Sequence, residues 1–397
     1  MTAVIAKLLQ STFRNRPILF RLPGGREIRG AAAGEPDLIV TLEDWKTVRR
    51  ILANPELGLG EAYMDGGLTF QGGDIYDFLD LAAEELGSRP RKPMEATWRI
   101  KRWLDQTNDR LNSRKNVSHH YDLTVDFYRL FLDEDLQYSC AYFPTSDASL
   151  ETAQAMKKQL LLTKLGLRPG DRVLDIGCGW GGLGLTLAEA GGRVTGVTLS
   201  HEQHGLANSR AAAAGMADRA EFRLQDYRDL DQTFDRIVSV GMFEHVGAPN
   251  YQAYFDGIAR LLDDDGVAVV HSIGRKGPPS RTQPWIAKHI FPGGYIPSLS
   301  EVLPAIERSG LWITDMEILR LHYAETLLAW RRRFRARWSD AAALYDERFC
   351  RMWEFYLASS EVGFRRLGHM VFQLQLTKRQ DAVPLTRDYL AAATEVA

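Results

Sequence analysis

The chain has 397 residues, room for two to three domains of ordinary size, which rules out a peptide-sized or disulfide-stapled module. Hydrophobic residues at 45%, charged residues at 25%, 34 Gly and 16 Pro are ordinary globular usage, so disordered, collagen-like and coiled-coil readings of the whole chain fall away. Lys plus Arg at 49 against Asp plus Glu at 51 leaves a net charge of −2, which excludes a globally basic nucleic-acid binder but permits local basic patches.

Residues 1–88 carry short helical and strand signals broken by a turn at Pro23-Gly-Gly25 and by a glycine-rich stretch from Leu57 to Gly67, the pattern of a small α+β domain. Residues 89–116 follow as a basic linker, with nine Lys or Arg against three acids between Arg89 and Lys115. A solvated helix face explains such a run, and so does a membrane-surface segment, because Trp98 and Trp103 are interleaved with the cations.

Residues 117–397 read as one larger domain. An apolar helix over 153–165 leads to a strand over 172–176, a helix over 182–190, a strand over 193–199 and a helix through Ala214. Strands near 220–224, 235–240 and 267–271 continue the series, and 312–319 and 369–376 add two more, separated by a helical insertion containing Ala329 to Trp338. Strands alternating with helices predict an α/β fold with a doubly wound, mostly parallel sheet of seven strands.

Cys140, Cys178 and Cys350 are odd in number and far apart, with no zinc spacing, so a reduced compartment is expected and metal ligation is not indicated. The first seven residues lack the apolar core of a signal peptide, and no uncharged apolar run reaches about 18 residues, which predicts a cytoplasmic protein that does not span a membrane.

The run Val173-Leu-Asp-Ile-Gly177-Cys-Gly179-Trp-Gly181-Gly182 sits where the first strand of this series turns into a helix, at the carboxyl edge where doubly wound sheets bind ligands. Glycines there let backbone approach a ligand, and Asp175 just before them orders the loop or accepts a bond from a cationic tail. The spacing departs from the dinucleotide fingerprint Gly-x-Gly-x-x-Gly and resembles motif I of S-adenosylmethionine-dependent methyltransferases. The second strand lacks the usual ribose-gripping acid, so Thr198 and Gln203 would supply those bonds, with Asp226 after the third strand placed for the adenine amino group. Each of these three taken singly is more often a turn or cap residue; their joint position favours a ligand.

The runs Asn116-Val-Ser-His-His-Tyr-Asp122, Gln137-Tyr-Ser-Cys-Ala-Tyr-Phe143, Leu174-Asp-Ile-Gly-Cys-Gly-Trp-Gly-Gly182, Phe234-Asp-Arg-Ile-Val-Ser-Val-Gly-Met-Phe-Glu-His-Val-Gly247, Val270-His-Ser-Ile-Gly274, Ile290-Phe-Pro-Gly-Gly-Tyr295 and His322-Tyr-Ala-Glu-Thr-Leu-Leu-Ala-Trp330 closely resemble cyclopropane-fatty-acyl-phospholipid synthases. What the resemblance implies is methylene addition from S-adenosylmethionine across a cis double bond of a phospholipid acyl chain. Methyl transfer leaves a carbocation, and a bound bicarbonate then removes a proton so that the ring closes. The resemblance places that bicarbonate on Cys140, Glu244, His271, Ile273 and Tyr323. It places the cofactor on Tyr138, Ser139, Asp175, Gly177, Gly179, Gly181, Thr198, Leu199, Gln203, Gln225 and Asp226.

The residues themselves agree in part: Glu244 follows the fourth strand and His271 ends the fifth, so the expected sheet sets both at its ligand-binding edge. A lone strand-end histidine is more often structural and a lone cysteine more often a small buried hydrophobe; the family pattern reverses those odds. Tyr138, Tyr142, Phe143, Trp180, Phe243 and Tyr295 could face a sulfonium or carbocation, although an aromatic stripe is usually core. The 291–294 segment reads equally as an acyl-channel loop or a plain turn. The resemblance further implies a phospholipid bilayer surface and unsaturated acyl chains as partners, no nucleic acid, a peripheral position on the inner membrane face, a lipid-associated N-terminal domain and, among the states it admits, a homodimer. Methyl transfer without ring closure, to an unsaturated lipid or a small-molecule amine, is the rival within the superfamily; a non-catalytic lipid binder is the rival outside it.

Overall fold

The computed structural model describes residues 2–87 and 123–391, so the basic stretch 89–115, Trp98 and Trp103 included, and the run 116–122 lie outside the described residues. The chain divides into two compact units: Met1–Met94 with Gln283–Phe291 and Leu327–Gly368, and Glu95–Thr282 with Pro292–Thr326 and His369–Ala397. The boundaries expected at 88 and 116 fall on undescribed residues. Within the 117–397 span, however, two segments cluster with the N-terminal residues rather than with the large sheet.

In the first unit, strands β1 (Ile18–Leu22), β2 (Arg26–Arg29), β3 (Leu38–Leu42) and β4 (Leu68–Gln71) form a sheet in the order β2-β1-β3-β4. The β1–β2 hairpin closes through Gly24 and Gly25, both at positive φ, where a side chain would be strained. The glycine-rich stretch expected to break structure is instead a helix, Pro55–Met64, begun by the Asn54 cap and Pro55. Its glycines admit close neighbours: a Cβ on Gly60 would lie 2.5 Å from the Trp285 ring and one on Gly58 would lie 2.5 Å from the Arg50 carbonyl oxygen. The helix Glu347–Arg366 packs on this helix and on Ile75–Gly87, with Arg366 bonded to Asp80 at 2.8 and 2.9 Å.

In the second unit, seven strands form the α/β sheet: β5 (Arg172–Ile176), β6 (Arg193–Thr198), β7 (Ala220–Leu224), β8 (Phe234–Val240), β9 (Leu262–Arg275), β10 (Trp312–Leu319) and β11 (His369–Thr377). Their order is β10-β11-β9-β8-β5-β6-β7; β5 to β9 run parallel to one another, and β11 is antiparallel to both β9 and β10. Strand β9 is much longer than the expected 267–271 at both ends: Leu262 pairs back to Phe234 beyond a register shift, and 272–275 pair on with His369–Phe372 of β11, so His271 lies inside the strand rather than at its end. Alternate residues serve alternate faces: Leu174, Ile237, Ala268 and Val270 pack with the helices Tyr251–Leu261 and Leu299–Ser309, while Val173, Val238 and Val269 pack with Leu150–Leu165 and Gly182–Glu189. The strand order reverses between β5 and β8, which sets the loops after these two strands side by side.

Candidate active site

The loop after β5 is held by Gly177 and Cys178, whose backbone N–H groups donate to the Val197 carbonyl at 2.9 and 3.1 Å. Tyr138, Ser139, Asp175, Gly177, Gly179, Thr198, Leu199, Gln203, Gln225 and Asp226 all line one cavity of about 230 Å³ above this loop. Gly181 does not line it. Gly181 starts the helix Gly182–Glu189 at φ +83, and a Cβ there would lie 2.9 Å from Ala207, so this glycine serves packing. Gly179 is different: its φ is +54 and a Cβ would meet no protein atom within 4 Å.

Asp175 is buried near the end of β5, and its Oδ2 has no hydrogen-bond partner among the described residues. Burial pushes its carboxyl up to about 7, against the pull of Lys157. The Thr198 hydroxyl donates to Gln203 Oε1 at 2.9 Å, so what Gln203 can offer a ligand is its amide NH2. Asp226 caps a short turn and accepts from Arg228 Nε at 2.8 Å and from its terminal NH2 at 2.6 Å; Arg228 also lines the cavity and was not foreseen. Tyr138 and Trp180 line the cavity and each meets the buried Tyr128 edge-on, at 5.3 and 5.8 Å. Phe243 and Tyr295, by contrast, are core residues, Phe243 stacked on Tyr251 at 4.5 Å and Tyr295 donating through its hydroxyl to Glu301.

The loop after β8 carries Glu244, half-buried, whose Oε1 accepts from the Ile273 backbone N–H at 2.7 Å while its covered Oε2 has no partner among the described residues. Burial lifts this carboxyl to about 7. His271 and Ile273 lie two apart on β9 and so share a face. His271 is 2% exposed, and burial together with the charges of Lys157 and Lys164 pushes it down to about 3, which keeps it neutral. Cys140 is fully buried and held as a thiol, its S–H donating to the Ala141 carbonyl at 3.2 Å; burial raises its pKa far above the ordinary range. Ala141 N–H in turn donates to Thr326 Oγ1 at 3.0 Å, one helical turn along His322–Ala336 from the buried Tyr323. The same helix start receives Tyr142, stacked 4.6 Å from His322, and the Phe143 N–H, which donates to His322 Nδ1 at 3.0 Å.

The helix Leu150–Leu165 supplies residues that the sequence reading passed over. Gln154 donates to the carbonyls of Gln137 and Ser139 at 3.3 and 3.0 Å, and Lys157 donates to Gln137 Oε1 and to Ser139 Oγ, bracing the turn that carries Tyr138 and Cys140. Lys157 is wholly buried and its ammonium is pushed down to about 8 by burial. Gln154, Lys157 and Lys164 recur at helical spacing on the face that also buries Leu160 and Leu161, and that spacing was the available signal. Among the described residues no group of His, Cys, Asp and Glu is arranged to hold a metal ion, and no helix is long and apolar enough to cross a membrane.

Residues 108–374 match the family model described as mycolic acid cyclopropane synthetase. The chain is 39% identical to the cyclopropane-fatty-acyl-phospholipid synthase of Escherichia coli K12, over 83% of this chain and 85% of that one. It is 38% identical to the tuberculostearic acid methyltransferase UfaA1 of Mycobacterium tuberculosis, over 95% of this chain and 91% of that one. Among solved structures, the mycolic acid cyclopropane synthase CmaA1 complexed with SAH and CTAB superposes with a TM-score of 0.63 at 36% identity, covering 66% of this chain and 97% of that one.

Proposed function

The chain belongs to the mycolic acid cyclopropane synthetase family, and on that premise we propose that it converts cis double bonds of phospholipid acyl chains into cyclopropane rings. It is an S-adenosylmethionine-dependent C-methyltransferase acting on lipids. The observation that carries the reading is the pairing of a cavity built on the 177–181 loop with a second pair of polar side chains at the same sheet edge, the half-buried Glu244, whose carboxyl is lifted to about 7, and the buried, neutral His271.

The residues present fit both small molecules. The open space at Gly179 and the unpartnered Asp175 Oδ2 suit a cationic ligand that passes close to backbone, and S-adenosylmethionine bound there supplies the methyl group that becomes the bridge. Glu244, lifted to about 7, is available in its protonated form as a donor through the unpartnered Oε2, and neutral His271 brings a ring N–H. The Tyr323 hydroxyl adds a further donor, and the Cys140 thiol, whose hydrogen goes to the Ala141 carbonyl, adds an uncharged wall, a set without a full positive charge that suits a small anion; bicarbonate held there supplies the base. Water exclusion is the other requirement, since an alkyl cation is captured by any water in reach, and the burial of Cys140, His271 and Tyr323 meets it.

We assign docking on the bilayer to the 1–88 domain and the 89–116 segment, whose nine cations would each contribute about 1 kcal/mol near an anionic surface. A second reading, methylation of an unsaturated chain without ring closure, is favoured by the 38% identity to a relative named a methyltransferase. The test of the shared claim is transfer of labelled methyl from S-adenosylmethionine to vesicles of cis-unsaturated phospholipid. Label in the acyl chains is expected; label absent from lipid in a folded, cofactor-binding protein would overturn it.

A further inference from the structure

His271 stands directly opposite Gln373 in the antiparallel β9–β11 register, and the Gln373 side-chain nitrogen lies 3.1 Å from His271 Nδ1. On its other side the Gln373 Oε1 accepts from Lys164 Nζ at 2.7 Å. An ammonium group has hydrogens to give and no lone pair, so the amide must turn its oxygen toward Lys164 and its NH2 toward the imidazole. The imidazole Nδ1 is therefore an acceptor, and the ring hydrogen sits on Nε2. Lys164 is itself held: Glu317 pairs with its ammonium, Asp315 lies 3.8 Å away, and Gln375 donates to its backbone carbonyl at 2.6 Å. Lys164, Gln373 and Gln375 are all at most 1% exposed, which leaves water little access to compete for these bonds.

We propose that Gln373, oriented by Lys164, is a positioning residue that locks His271 as the neutral Nε2–H tautomer, so that the ring presents a hydrogen-bond donor on its far side. The inference rests on the reading that His271 faces the anion site. An anion that is to act as a base needs donors that orient it without giving up a proton to it, and a neutral Nε2–H is such a donor whereas an imidazolium is not. The two nearby ammonium groups, Lys157 and Lys164, work in the same direction by disfavouring a charged ring.

The test is nitrogen-15 spectroscopy of histidine-labelled protein, with the His271 signals identified by their loss in His271→Asn. The expected result is an Nε2-protonated pattern that does not change over roughly pH 5 to 8, where an ordinary histidine titrates. Gln373→Glu should move the ring hydrogen to Nδ1, and Gln373→Leu should leave mixed tautomers with turnover down about five- to tenfold and cofactor KM unchanged. A wild-type pattern showing Nδ1–H or imidazolium would overturn the relay without recourse to any variant, as would an unaltered pattern in both Gln373 variants. Full turnover in folded His271→Asn would instead remove the anion site that the relay serves, and the two failures are distinguishable because the first is spectroscopic and the second kinetic.

Discussion

The cavity over the 177–181 loop takes its shape from backbone, whereas the group around His271 takes its chemistry from side chains withheld from water. The first is glycines at positive φ, with Thr198 at a strand end, Gln203 in the helix turn that follows it and Asp226 at a turn cap contributing hydrogen-bonding edges. The second is two carboxyl-bearing or imidazole side chains whose pKa values are displaced in opposite directions by the same cause, burial. Shape tolerates loss of one hydrogen bond but not the intrusion of a methyl group; buried electrostatics tolerates neither a lost donor nor an added charge. Asp175 lies in the first region but shares the trait of the second, since it lines the cavity and burial lifts its carboxyl to about 7.

The largest effect should come from filling the backbone cradle. Gly179→Val is expected to abolish S-adenosylmethionine binding by calorimetry while the fold persists, because a Cβ there meets no protein atom within 4 Å and the residue lines the cavity. The left-handed backbone adds about 1–3 kcal/mol of strain, so Gly170→Val, at φ +91 with nothing within 4 Å and outside the cavity, is the control that shares the strain and should bind normally. Equal affinity in the two folded variants would erase the distinction drawn here.

Next in size is the second region. Glu244→Gln keeps the bond from Ile273 but changes the donor chemistry at Oε2, and Tyr323→Phe removes a hydroxyl; at about 1.5–3 kcal/mol for a bond to a charged partner, turnover should fall roughly tenfold or more in each. Cofactor affinity should stay near wild type, which separates the regions. Depleting and restoring bicarbonate is the companion measurement, and full activity without it would place the base elsewhere.

Asp175 offers a test through pH. An ordinary aspartate ionises near 3.8, so between that value and about 7 the unfolded chain has lost a proton that the folded chain retains, and stability falls as pH rises through this window. Asp175→Asn carries no such cost. Denaturant unfolding of the ligand-free proteins should therefore show the variant gaining on the wild type between about pH 4.5 and pH 8. A stability difference independent of pH would mean that burial does not lift this carboxyl. Smallest of all, Thr198→Val removes one neutral hydroxyl and should weaken the cofactor by about fivefold, the value of one ordinary hydrogen bond.

The backbone-built region was legible in the sequence for the reason that makes it robust. A glycine run between an apolar strand and a helix is a local pattern, and the seven strands of the sheet are local patterns too. The side-chain region was legible in part: the strand series set Glu244 and His271 at one sheet edge, but the parts of Cys140 and Tyr323 came only through resemblance, because burial is conferred by partners distant in the chain. Lys157 and Lys164 lie within the apolar helix pattern of 153–165, and nothing local shows that Gln137, Ser139 and Gln373 meet them. The same blindness hid the Pro55–Met64 helix, whose glycines look like breaks until Trp285 fills the space that they leave. It also hid the start of β9, where Asp263, Asp264 and Asp265 mask a strand that pairs only through Leu262.

One measurement bears most directly on the central claim that the two regions act in sequence, the first to deliver a methyl group and the second to close the ring. Purified protein is given cis-unsaturated phospholipid vesicles, S-adenosylmethionine and bicarbonate, and the acyl chains are analysed by mass spectrometry before and after ozonolysis. The account predicts chains heavier by one methylene that ozone no longer cleaves, since the double bond has become a ring. Methylated chains that ozone still cleaves, or saturated branched chains, would show methyl transfer without closure and contradict it.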